Sequence, residues 1–280
     1  MKLFIKASFA LLAIALFVAF PVYAAQPPVD LGTAKPFAIL AGTGITDTPT
    51  SVITGNVGLS PAAGSNITGL TCAEVTGTIY DVNGTFPGSC EVTDPGLLTT
   101  AKNDLTTAFV NAAGRTPVTT VPTELGGTTL TAGTYDSAST TFGITAGAGP
   151  LVLDGQNNYD SVFIFKMGAA GTGLTVGPGS TVSLINGAQA CNIFWELDTA
   201  SIDTTAVFKG TIMALNSITV NNGANIEGRL LARNANVTLV ADTITAPTTC
   251  ASGLTPGFPN TGADAASWKT TTWSLADFRL

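Results

Sequence analysis

Three observations predict a mainly β chain wound as a solenoid of short strands, with one long helix packed alongside. Brief apolar runs alternate with glycine turns. A block of 18 residues repeats in the last third of the chain. One segment alone carries helical rather than alternating periodicity. Between residues 37 and 78 the runs are FAILAGTGIT, SVITGNVGLS, SNITGLT and EVTGTIY. Each reads as a short strand ended by a turn residue. Such strands suit a sandwich, a barrel or a solenoid.

The repeat selects among these. KGTIMALNSITVNNGANI, from Lys209, aligns with EGRLLARNANVTLVADTI, from Glu227, so that Gly210 matches Gly228, Ala214 matches Ala232 and Asn216 matches Asn234. The preceding block, CNIFWELDTASIDTTAVF, has the same length and apolar spacing. Eighteen residues make three strands of about six residues each, corners included. A propeller blade needs a longer repeat. One residue is inserted before Val237. Ile212, Ile218 and Val220 are expected inside one coil, and Leu230, Val237 and Leu239 inside the next, with coils about 4.8 Å apart.

The helix is expected at about residues 94–113, in TDPGLLTTAKNDLTTAFVNAAGR. Leu97, Ala101, Leu105, Ala108, Phe109 and Ala112 share one face. Asp94 suits the N-cap, Pro95 the first helical position and Gly114 the stop. Lys102, Asn103 and Thr106 mark the polar face.

Residues 1–24 read as a secretory signal peptide. Lys2 and Lys6 precede an apolar run from Ala7 to Phe20, and Val22 and Ala24 supply a cleavage site. An exported chain favours disulfides over thiols. Four cysteines allow three connectivities; the loops they bracket favour Cys72–Cys90 and Cys191–Cys250. Residues 25–250 are then one domain, and 251–280 a tail expected to be disordered.

Composition and missing residue types narrow the function. Eleven basic residues against 18 acidic ones give a net charge of −7, and without a basic stripe a nucleic-acid partner is not expected. There is no histidine, which removes the commonest general base and metal ligand. Asp154, Asp160, Glu196, Asp198, Asp203 and Glu227 are the carboxylates that could form a glycosidase pair, but they are scattered near turns and read as solvated. Lys166 and Arg229 read as solubilising, and no phosphate-binding loop ends in Lys-Ser/Thr. No enzyme, cofactor or metal is expected.

What is present is a small, neutral outer face. LNSITVNNG, from Leu215, turns Ser217, Thr219 and Asn221 outward; neighbouring strands offer Gly173, Thr175 and Gly177, then Thr199, Ser201 and Asp203, then Asn236 and Thr238. A Thr-Ala/Gly-x-Thr motif recurs as TGIT, TGLT (twice) and TAGT. Threonine favours strands and glycine favours turns, so such tetrapeptides can be purely structural. A face without charge, however, is a solubility liability unless it meets something. Methyls restrict neighbouring water and hydroxyls fix it, so a rigid two-dimensional array of both is suited to ordered water, and to ice.

Several blocks in order then carry a resemblance: LGTAKPFAILAGTGIT, SVITGNVGLSP, AKNDLTTAFVNAAGR, ELGGTTLTAGTY, SVFIFKM, INGAQACNIFWEL, FKGTIMALNSIT and GANIEGRLLARNANVTL. Over roughly residues 31–250 the chain resembles the bacterial and fungal ice-binding (antifreeze) protein family. The resemblance implies an irregular, discontinuous, three-faced right-handed β-solenoid with a flanking helix. It also implies adsorption to ice through one flat face, with thermal hysteresis and inhibition of recrystallisation. Carried over by position, that face includes Thr43, Thr76, Ser217, Thr219 and the region from Asn234 to Asn236. Thr175, Thr199, Ser201, Asn221 and Thr238 join through the column of outward residues. The partner is ice or ordered water, and the chain is expected to act as a secreted monomer. FPNTG, from Phe258, resembles a cell-wall sorting pentapeptide, though the apolar run and basic end of such a signal are missing. An adhesin on the same scaffold, or a polysaccharide-active β-helix enzyme, are the alternatives.

Overall fold

The computed structural model describes residues 26–167 and 171–251. The leader at 1–24 and FPNTG, with the rest of the tail from 252, lie outside them. The described chain is mainly β with one long helix, and its strands pair in parallel between coils. Three sheets form the walls of the solenoid. The long strands Val207–Ala214 and Asn225–Ala232 serve two of them. Residues 225–227 pair with Thr243–Thr245, while Leu230 and Leu231 pair with Phe37–Ala41. The turn from one wall to the next falls at Gly210 and Gly228, which lie in register.

Chain order and spatial order differ. Phe37–Ala41 enters in the middle of the stack, between Asn225–Ala232 and Asn56–Leu59. The first coils run outward through Ile79–Asp81 to Glu91–Thr93 at one end. The helix Pro95–Ala113 follows, and strands resume at the other end with Thr119–Val121 against Gly133–Ser137. Later coils fill back through Phe163–Lys166, Ile193–Leu197 and Val207–Ala214. The implied discontinuity is present: the last coils and the first coils meet.

The core follows the repeat. Ile212, Ile218, Val220, Leu230, Val237 and Leu239 are all fully buried, each contributing about 1.5–3 kcal/mol relative to exposure. Ile218 pairs with Val237 rather than with the residue 18 further on, as an insertion before Val237 requires. Tyr135, Phe165 and Trp195 occupy matching positions of three coils, and the Phe165 and Trp195 rings stack with centroids 3.9 Å apart. Both expected disulfides are formed, Cys72–Cys90 and Cys191–Cys250.

The helix begins as its sequence indicates: the Asp94 carboxylate accepts from Leu97 N at 2.8 Å, and Pro95 opens the first turn. Leu98, Ala101, Leu105, Ala108, Phe109 and Ala112 pack against Leu40, Ile164, Phe194, Met213 and Leu231; Leu97 is only partly buried at the rim. Three cations depart from the expected pattern. Lys102 does not face solvent; its Nζ donates to the carbonyls of Ala232 and Arg233 at 2.8 and 2.6 Å. Lys166 is not a solubilising group but donates to the Ala113 and Arg115 carbonyls, both at 2.8 Å, at the end of the helix, where a cation also meets the negative pole of the helix dipole. Arg229 is buried, its Nε donating to Lys35 O at 2.7 Å and its second terminal nitrogen to Pro247 O. Each reads as a surface charge in the sequence because its acceptors are backbone carbonyls distant along the chain.

Two outcomes are expected. A Cβ on Gly228 would stand 1.8 Å from the Gly210 carbonyl oxygen, and neither backbone can yield without breaking coil register. Gly228→Ala should therefore destabilise the fold by about 3 kcal/mol or more in thermal unfolding, whereas Gly96→Ala, which meets nothing closer than 3.5 Å, should melt like the wild type. Burial, aided by the charge of Arg233, pushes the Lys102 ammonium down to about 8 from 10.5. The unfolded chain then binds more protons between these values, so stability should rise with pH across that window. Melting curves of Lys102→Met should lack that rise.

Candidate functional site

Alternation along a strand sends successive side chains to opposite faces, and parallel register stacks equivalent residues from coil to coil. The wall formed by Thr141–Ile144, Gly173–Val176, Thr199–Ile202, Ile218–Val220, Val237–Val240, Ile45–Thr48 and Ile67–Thr68 is a seven-stranded parallel sheet. Its inward residues belong to the core. Its central outward column is Gly143, Thr175, Ser201, Thr219, Thr238, Thr46 and Thr68, joined pair by pair in register. Every member after Gly143 carries a hydroxyl, and at about 4.8 Å per step the column runs for about 29 Å.

A second column flanks it. Thr141, Gly173 and Thr199 are in register, and the line continues through Ser217 and Asn236, whose carbonyls accept from Ala200 N and Ile218 N at 3.1 Å. The Asn236 side-chain amide donates to Thr238 Oγ1 at 2.9 Å, tying the two columns together. On the other flank the Asn221 amide donates to Asp203 Oδ1 at 3.2 Å, and Thr204 N donates to the same carboxylate at 2.7 Å. Two carboxylates mark this face: Asp203 on one flank, and Glu124, which bridges to Gly143 at the edge of the sheet and accepts from Thr145 N at 3.0 Å.

The other two walls differ in kind. One is covered by the helix. The other carries the Lys209–Glu227 ion pair, 2.8 Å long, and the exposed apolar side chains of Val52 and Ile185. The seven-stranded wall is open, and its central column is lined by hydroxyls from Thr175 to Thr68.

The residues singled out in the sequence fall into three groups. Thr175, Ser201, Thr219 and Thr238 share the central column; Thr199, Ser217 and Asn236 share the second, and Asn221 lies beside Asp203. Thr43 and Asn234 are exposed at the corner leading into the sheet, where Thr43 N donates to Ala235 O at 3.2 Å and Asn234 N to Leu215 O at 3.1 Å. Thr76 is not on this wall: it pairs in register with Thr54, in line with Thr245 and Glu227 on the wall that carries the ion pair. Two central members, Thr46 and Thr68, were missed. Both lie in the TGIT and TGLT tetrapeptides, so the signal was in view, but Thr46 meets Thr238 from the opposite end of the described chain.

The carboxylates weighed for catalysis are dispersed over different walls. Asp154 accepts from Gln156 N and the Asn186 amide, Asp198 from Gly171 N and the Asn216 amide, and the buried Glu196 from Met167 N. Glu227 pairs with Lys209, and Asp160 sits in the turn after Tyr159.

Residues 39–245 match the family described as Ice-binding-like. Over 223 residues the chain is 41% identical to the ice-binding protein of Flavobacterium frigoris (strain PS1), spanning 78% of this chain and 76% of that one. The DUF3494 domain of ice-binding protein 1 from Shewanella frigidimarina superposes with a TM-score of 0.70 at 32% identity, covering 80% of this chain and 99% of that domain. An ice-binding protein from an Arctic yeast, solved to explain its antifreeze activity, gives a TM-score of 0.69 at 31% identity, covering 81% and 98%.

Proposed function

The chain belongs to the Ice-binding-like family, and from that premise we propose that it adsorbs to ice through its seven-stranded open wall. Its function is ice binding with antifreeze action: an adsorbed protein blocks advance of the crystal front and inhibits recrystallisation. The observation that carries the assignment to this wall is the unbroken register of hydroxyls from Thr175 to Thr68, with no charged residue in that run. Threonine methyls and hydroxyls together hold water in a fixed pattern. Spacings of about 4.8 Å across strands and about 6.6 Å along them repeat that pattern in two directions. β-Branched side chains on a stacked scaffold lose little entropy when the surface meets a solid. Secretion fits the leader-like start of the sequence and the two disulfides. The complete face lies on one chain, which fits action as a monomer. The family match and the relatives lend no support to adhesion or glycan cleavage.

Recrystallisation and hysteresis assays test the assignment. Thr219→Tyr, and equally Thr46→Tyr and Thr68→Tyr, should lose more than half of the wild-type hysteresis, because a ring standing above the column keeps the sheet off the crystal. Thr76→Tyr should keep it. The reverse pattern would transfer ice binding to the wall with the ion pair.

A further inference from the structure

Three carboxyls are buried together at the corner where the open wall ends and the next begins. Asp47, 4% exposed, lies between the outward Thr46 and Thr48, with its side chain turned inward beneath the hydroxyl column. Glu74, 5% exposed, comes from the 3-10 turn Cys72–Glu74 of the coil on one side. Asp242, 1% exposed, follows Val237–Val240 in the coil on the other side, and the fully buried Ser51 sits among them.

Their bonds are unequal. Glu74 Oε2 accepts from Thr71 N and Oγ1 at 2.6 and 2.7 Å, and Oε1 from Ser51 N at 3.1 Å. Asp242 accepts from Ala224 N at 3.0 Å and Val240 N at 2.8 Å, while its own N–H donates to Ser51 Oγ at 3.0 Å. Ser51 Oγ donates in turn to Asp47 Oδ1 at 2.7 Å. No donor reaches Asp47 Oδ2, which is buried, and Ser51 joins the two acids, its N–H donating to Glu74 and its hydroxyl to Asp47. Two ionised carboxylates facing each other in a dry corner are strongly disfavoured. A proton on Oδ2 turns the orphaned acceptor into a donor and removes one of the charges.

We propose that Asp47 is held as the neutral acid at neutral pH, donating from Oδ2 to Glu74, and that this proton locks three consecutive coils at the end of the open wall. Burial is the main cause that raises Asp47, and the charge of Glu74 adds to it. Burial likewise raises Asp242 to about 6. Burial also pushes Glu74 upward, but its Thr71 and Ser51 bonds hold it below the ordinary range. Glu74 and Asp242 are the titratable groups that face Asp47; the adjoining strands Val237–Val240, Ile67–Thr68, Val52–Thr54 and Val75–Thr76 carry none. For Asp47 and Asp242 the folded chain binds more protons than the unfolded one above the ordinary 3.8. Their contribution is therefore full at low pH and lost as pH rises through the raised values.

Asp47→Asn is the test, because its amide copies the protonated acid: Oδ1 still accepts from Ser51 and Nδ2 donates to Glu74 at every pH. Its melting temperature should equal that of the wild type at about pH 4 and exceed it at about pH 7.5. Asp242 titrates in both proteins, so both fall across that interval, the wild type more steeply. A variant that melts below the wild type at the higher pH overturns the proposal. Infrared difference spectra give an answer that needs no variant to fold. Wild-type protein at about pH 7.5 should retain a protonated-carboxyl band that shifts in deuterated water, and a spectrum with every carboxyl ionised defeats the assignment.

Discussion

Parallel, in-register stacking of coils is the constraint on which the rest of the molecule depends. Each coil donates and accepts backbone hydrogen bonds along its whole length with the coils on either side, so every side chain has a near-equivalent about 4.8 Å above and below it. The buried aromatic stack, the hydroxyl column and the Lys209–Glu227 pair are three expressions of that rule. The rule also discourages charge, because like charges in register repel directly. Low charge alone therefore does not mark a binding face. The wall with the ion pair shows that opposite charges in register are admitted, so the uncharged run from Thr175 to Thr68 goes beyond what stacking requires.

Legibility from sequence follows the path of the chain. Where consecutive coils are sequence neighbours, as from Cys191 to Ile244, the 18-residue spacing reveals the register and even the extra residue before Val237. Ser201, Thr219 and Thr238 were readable as one column for that reason, and Thr175, outside that stretch, through the alternation of its own strand. The helix was readable from Asp94, Pro95 and its apolar stripe, all local signals. Thr46 and Thr68 were not, because the first coils dock onto the last ones and no local repeat records which coil lies next. Thr76, carried over by position from the resemblance, lies on another wall, and a strand of two residues does not announce which wall it lines.

The cations follow a different logic from the one a soluble surface suggests. A solenoid with a long helix beside it leaves carbonyls at the helix end and at coil corners without strand partners, and buried carbonyls need donors. Lys102, Lys166 and Arg229 supply them. In a chain with so few charges, these cations hold the helix against the body and fix the segment around Lys35 and Pro247. Their positions could not be inferred from hydropathy, since the acceptors are backbone atoms with no sequence signature.

The acid beneath the open wall bears on how the stack avoids slipping. On the inner side of that sheet, the position that Asp47 occupies is filled in neighbouring coils by Val176, Ile202, Val220 and Leu239. Such apolar columns fit one another almost interchangeably, and a displacement by a whole coil would still bury them. Asp47 has no such freedom, because only Ser51 and Glu74 together satisfy its two oxygens. Gly228, which can lie only against the Gly210 carbonyl, restricts the neighbouring coils in the same way. Apolar burial thus supplies the cohesion, while a few residues with a single acceptable partner set hold each coil in register. That register keeps Thr46 level with Thr238 and makes the outer wall flat.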